Sequence, residues 1–164
     1  MLCPLGNDFG NIKSLVGGKS KAVMEKQVPV LVVDDERDHA LFIKDTLEDT
    51  NIPIQVHMVE SGEDAIAYLS GDGRFADRND YPFPFLILLD LRMPGIGGFG
   101  LLRWLGSHPN LKQKVNLVAL SSVQSSREIE VVYELGAQYF WAKSDCKALQ
   151  DQLRRLHESW LVQN

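Results

Sequence analysis

Four apolar runs in this chain stop on a residue that carries chemistry, and that repetition constrains the fold more than any other feature. Val30–Val33 runs into Asp34-Asp35-Glu36, Phe85–Leu89 into Asp90, Val115–Leu120 into Ser121-Ser122, and Tyr139–Ala142 into Lys143. Such runs are too short for helices and too continuously apolar for strands wetted on one face, so they read as buried parallel strands. Ile54, Val56 and Met58 alternate as a fifth strand. Between the runs, apolar residues recur at helical spacing. The stripes are Phe42, Ile43 and Leu47 (with His39 at the margin), Ala65, Ile66 and Leu69, and Leu101, Leu102 and Leu105. Ile129, Val132 and Tyr133 follow, then Leu149, Leu153, Leu156 and Trp160. Ser61-Gly62-Glu63 opens the second stripe, while a Ser125/Glu128 capping box opens the fourth and Gly136 closes it. The alternation predicts one α/β domain over residues 28–164, a doubly wound five-stranded parallel sheet with five helices. Ligands of such sheets sit beyond the carboxyl ends of the strands, which selects Asp34, Asp35, Asp90, Ser121 and Lys143.

The remaining segments read as connections. Gly71 to Pro84 is polar, aromatic and proline-punctuated, hence a loop. Residues 1–27 break with the pattern, with scattered glycines and lysines, and are predicted to be a disordered N-terminal tail or leader. Gly18-Lys19-Ser20 imitates the end of a phosphate-binding loop, but Lys13 stands where that loop requires glycine.

Charge and cysteine content narrow the function. A net charge of −5 over 164 residues does not supply the basic face that nucleic acid requires. Cys3 and Cys146 are too few for a disulfide framework or a cysteine metal cluster, and a reducing compartment fits them. No stretch has the length of a signal peptide or membrane span, so a cytoplasmic protein without membrane partners is expected.

Gly95-Ile96-Gly97-Gly98-Phe99-Gly100 tests a rival reading, since G-x-G-x-x-G marks dinucleotide loops. Here Leu91-Arg92-Met93-Pro94 separate the glycines from the strand end, and no acidic ribose partner lies on the following strand. A pyrophosphate would also face Asp34, Asp35 and Asp90 with no cation between. Turn chemistry is the better account of these glycines.

The carboxylates make sense as one site. Neighbouring aspartates repel unless a hard dication joins them, and Mg²⁺ prefers oxygen ligands while using few carboxylates. A carboxylate there can attack phosphorus and form an acyl phosphate. The charge that develops then needs a cation and a hydroxyl donor, which Lys143 and Ser121 supply.

Val33-Asp34-Asp35-Glu36, Leu89 to Pro94 with Gly98 after it, Ala119 to Ser122, and Gly136-Ala137 followed by Phe140 and Lys143 carry a resemblance. On these pieces, residues 28 to about 162 resemble the receiver domain of bacterial response regulators, a flavodoxin/CheY-like fold. The resemblance implies Asp90 as phosphoacceptor, with Asp35, Asp90 and the Arg92 backbone carbonyl on Mg²⁺ and Asp34 holding a metal-bound water. It further implies phosphoryl contacts from Lys143 and Ser121, with Phe140 as the switch aromatic. Three features depart from the common pattern: Ser144 in place of a proline after Lys143, a longer Gly71–Pro84 loop, and no output domain after the last helix. The long loop, the Lys-Ser pair and the Trp-bearing last helix resemble stand-alone regulators paired with phytochrome-type histidine kinases.

The function this implies is a switch phosphorylated by a sensor histidine kinase and read by a downstream protein. A haloacid-dehalogenase-like phosphotransferase would carry Asp-x-Asp, where this chain has Arg92. A pseudo-receiver that is never phosphorylated is the binding-module alternative. His39, His57, His108 and His157 lack ligand spacing and are expected to be neither metal ligands nor phosphoacceptors. Ile129, Val132, Tyr133, Tyr139, Trp141 and the Leu153-Leu156-Trp160 stripe predict an output face that doubles as a homodimer or partner surface.

Overall fold

A computed structural model describes residues 26–122 and 125–163. The predicted tail lies outside the described residues except for Lys26 and Gln27, which lead into the first strand. The described residues form β1 (Val28–Val33), α1 (Arg37–Glu48), β2 (Ile54–Val59), α2 (Gly62–Ser70) and a 3-10 turn (Gly73–Phe75). There follow β3 (Leu86–Asp90), α3 (Gly97–Gly106), α4 (Pro109–Lys112), β4 (Asn116–Ser121), α5 (Ser126–Glu134), β5 (Tyr139–Ala142) and α6 (Cys146–Gln163).

All pairings in the sheet are parallel, in the order β2-β1-β3-β4-β5. Strand alternation divides the core between its two faces. Leu31, Val33, Ile87, Leu89, Leu117 and Ala119 meet α2, α3 and α5 on one side. Val30, Val32, Leu86, Leu88, Val118 and Leu120 meet α1 and α6 on the other. Each Leu, Ile or Val buried this way contributes about 1.5–3 kcal/mol relative to exposure.

Six helices stand among the described residues where five were expected. The addition is the four-residue α4, begun by Pro109 at its first turn and too short to show a hydrophobic period. Ser61 Oγ accepts from the Asp64 amide (3.0 Å) at the start of α2, and Ser125 Oγ accepts from the Glu128 amide (3.1 Å) at the start of α5. The segment from Gly71 to Pro84 carries the 3-10 turn and is tied down by Arg78, whose guanidinium donates to three main-chain carbonyls.

Packing takes up part of the face expected to meet a partner. Val132, Leu153, Leu156 and Trp160 are buried in this chain's own core, and of the residues expected on that face Tyr133 is the large one left exposed. A sheet covered on both faces consumes the apolar stripes of α5 and α6, which periodicity alone cannot distinguish from a docking face. No helix among the described residues is long and apolar enough to cross a membrane.

Candidate functional site

Strand order decides which chain ends meet. β1 and β3 are neighbours with Val33 opposite Leu89, so Asp34 and Asp90 emerge side by side. β4 places Leu120 opposite Asp90 and, on its other edge, Ser121 opposite Ala142. Lys143 therefore leaves β5 beside Ser121, its amide donating to the Ser121 carbonyl at 3.0 Å. Asp34, Asp90 and Ser121 are 1%, 2% and 0% exposed, whereas Asp35 faces solvent.

Two buried carboxylates need partners, and each has them. Asp90 Oδ1 accepts from the Arg92 amide (2.9 Å) and Oδ2 from Lys143 Nζ (2.9 Å). Asp34 Oδ1 accepts from the Glu36 amide (2.9 Å), while Oδ2 takes Lys143 Nζ (3.1 Å) together with His39 Nδ1. Burial pushes the Asp34 carboxyl up, but the His39 hydrogen bond, the Glu36 amide and Lys143 outweigh it, so its pKa lies below the ordinary value. Burial likewise pushes the Lys143 ammonium down, and the hydrogen bond and charge of Asp90, with those of Asp34, lift it above its usual range. Both groups are held in their charged forms.

Asp34, Asp35 and Asp90 each offer a carboxylate oxygen, and these oxygens lie within 4.8 Å of one another. Three carboxylates face one ammonium, so the cluster lacks positive charge. An all-oxygen donor set with an exposed mouth at Asp35 fits a hard divalent cation that retains some water.

The Gly-rich segment serves the site as a turn. Gly95 and Gly97 take φ of +71° and +60°, conformations that disfavour side chains. A Cβ on Gly98 would meet the Asp90 carbonyl oxygen at 2.3 Å and Leu91 Cα at 2.6 Å, so α3 can approach the Asp90 backbone only through glycine. Arg92 turns its side chain away from the carboxylates toward Glu128 (3.4 Å) on α5. Phe140 is half-buried against the core on the α2/α3/α5 side of the sheet. The Lys143–Ser144 peptide is trans, as are all peptide bonds among the described residues.

His39 had no ligand spacing, yet it sits in the first turn of α1 with its ring on Asp34. The available signal was proximity: a histidine five residues after a strand-end carboxylate, across a turn that reverses the chain.

The sheet and its strand-end site are those of a flavodoxin-like α/β domain. The response regulator receiver domain model matches residues 30–154, and the chain belongs to that family. Response regulator Rcp1 of Synechocystis sp. is 26% identical over 133 residues, covering 80% of this chain and 88% of that protein. The crystal structure of the phosphorylated cyanobacterial phytochrome response regulator RcpA superposes with a TM-score of 0.68 at 28% identity, covering 85% of this chain and 97% of RcpA. The Mn²⁺-bound form of Rcp1 gives a TM-score of 0.66 at 26% identity, covering 82% and 94% of the two chains.

Proposed function

We propose that this protein is a stand-alone switch of a two-component system, phosphorylated on Asp90 by a sensor histidine kinase and acting in the cytoplasm. The observation that carries the reading is the buried Asp90 carboxylate, held from two sides by the Arg92 amide and Lys143 and flanked by two further aspartates. A carboxylate oxygen of Asp90 attacks phosphorus, the phosphorus–nitrogen bond of the donor phosphohistidine breaks, and the imidazole leaves with the bonding pair. Lys143 is already within 2.9 Å of the nucleophile and follows the charge as it moves onto the phosphoryl oxygens. Ser121, at the next strand end, supplies the hydroxyl that reports the new group, and Phe140 follows it.

Asp35, Asp90 and the Arg92 carbonyl would hold Mg²⁺, with Asp34 orienting one of its waters. When bound, the ion offsets the charge of the carboxylates and of the incoming phosphoryl group. With Arg92 at the second position after Asp90, no carboxylate stands where an acid/base group would turn over an external substrate, which supports a switch rather than a phosphatase. Similarity to phytochrome response regulators supports a phytochrome-type kinase as the donor.

Acetyl phosphate with Mg²⁺ should raise the intact mass by one phosphoryl group. Asp90→Asn and omission of the metal should each abolish that gain, and undiminished labelling of Asp90→Asn would overturn the assignment.

A further inference from the structure

Asp34 Oδ2 has two donors, and only one of them is needed elsewhere. Lys143 is divided between Asp34 (3.1 Å) and Asp90 (2.9 Å), while His39 Nδ1 touches Asp34 alone of the carboxylates. On the functional reading above, a phosphoryl group on Asp90 draws Lys143 toward its own oxygens. Asp34 is 1% exposed, so bulk solvent does not readily replace a departing donor there. A buried carboxylate oxygen left without a partner opposes the move.

We propose that His39 is the positioning residue that removes this opposition: it holds Asp34 in place, and so releases Lys143 to the phosphoryl group. The geometry suits that role. His39 comes from α1 and Lys143 follows β5, so the two donors sit on separate elements and one can shift while the other stays. The Glu36 amide fixes Oδ1, and with His39 on Oδ2 the carboxylate stays oriented whether or not the lysine remains. Without His39, the lysine becomes the sole side-chain donor to Asp34, and it is retained there at the expense of both a cation and the phosphoryl group.

Metal affinity tests this apart from phosphorylation. Free Mn²⁺ is followed by electron paramagnetic resonance during titration of the whole protein, and phosphoryl uptake from acetyl phosphate is measured separately at saturating Mn²⁺. His39→Ala should weaken Mn²⁺ binding by about tenfold, the range seen when an outer partner of a metal-site carboxylate is lost, and should slow uptake at saturating metal. His39→Asn, whose amide nitrogen sits where Nδ1 was, should recover most of both. In an Asp34→Asn background, His39→Ala should change Mn²⁺ affinity no further, because the contact it acts through is already altered. Wild-type Mn²⁺ affinity in His39→Ala, or an equal loss in the Asp34→Asn background, would overturn the assignment. Should His39→Ala not fold, His39→Leu fills the same space without a donor and replaces it. Labelling that persists in Asp90→Asn would instead sink the functional reading, whatever His39 does to the metal.

Discussion

The carboxyl end of the sheet and the segment from Gly71 to Pro84 both gather polar groups against a core, and they resolve the conflict in opposite ways. At the sheet end, Asp34 and Asp90 share one ammonium with Asp35 close beside them, so the site remains short of positive charge. In the loop, the Arg78 guanidinium donates to the carbonyls of Tyr68 (2.8 Å), Leu69 (3.0 Å) and Tyr81 (3.2 Å), closing the end of α2 with no competing carboxylate. Around it, Tyr68, Phe75, Tyr81 and His57 pack ring to ring at 5.1–6.0 Å. The Tyr68 hydroxyl, its pKa pushed up to about 12 mainly by burial, donates to Pro82. The loop's guanidinium is answered by carbonyls, and the segment is built to stay. The site is incomplete, and a bound cation or phosphoryl group can therefore change it.

Substitutions can break or sharpen this contrast. Gly98→Ala should have the largest effect, about 3 kcal/mol of lost stability by urea unfolding, because its Cβ collides with main chain at Asp90 and Leu91 rather than with a movable side chain. Arg78→Ala should cost about 2 kcal/mol, and Arg78→Lys should recover little of it, since a point charge cannot serve carbonyls on both sides of a planar fork. Asp35→Asn should behave differently, changing metal-free stability by less than about 1 kcal/mol, in the stabilising direction, as a like charge is removed from the cluster. The same substitution should weaken Mn²⁺ binding in the resonance titration. A large loss of metal-free stability in Asp35→Asn would mean that the site is as complete as the loop.

A pH dependence also separates the two regions. Burial lowers the pKa of His57 below 6.5, so the unfolded chain binds the proton first. The stability associated with its neutral form is therefore present above pH 6.5 and declines as the pH falls from there toward the folded-state pKa, by at most about 1.4 kcal/mol per pH unit. Asp34 is lowered from 3.8, so its contribution is lost only in stronger acid, and Lys143 is raised from 10.5, so its contribution is lost only in stronger alkali. Urea midpoints between pH 7.5 and 5.5 should fall in the wild type and flatten in His57→Leu. An unchanged slope in that variant would remove His57 as the cause.

What sequence alone determined is the set of strands and the identities at their ends. Val30–Val33, Leu86–Leu89 and Leu117–Leu120 are legible because burial on both faces demands unbroken apolar residues, and a polar residue must follow wherever such a strand reaches water. The stripe of Leu149, Leu153, Leu156 and Trp160 was likewise legible as a helix face, although not what that face would cover. Resemblance to a family could assign roles to Asp90 and Lys143, but their 2.9 Å contact spans 53 residues and depends on the order β2-β1-β3-β4-β5. The same holds for Arg92 with Glu128, and for the lysine shared with Asp34 across 109 residues. His39 against Asp34 is close in sequence yet remained hidden, because whether a ring meets a carboxylate five residues away depends on how the turn after β1 delivers α1. Hydrophobic pattern is a property of each residue and its near neighbours, and the chain displays it directly. Partnership in a charged site is a property of distance in space, and only the packed sheet determines it.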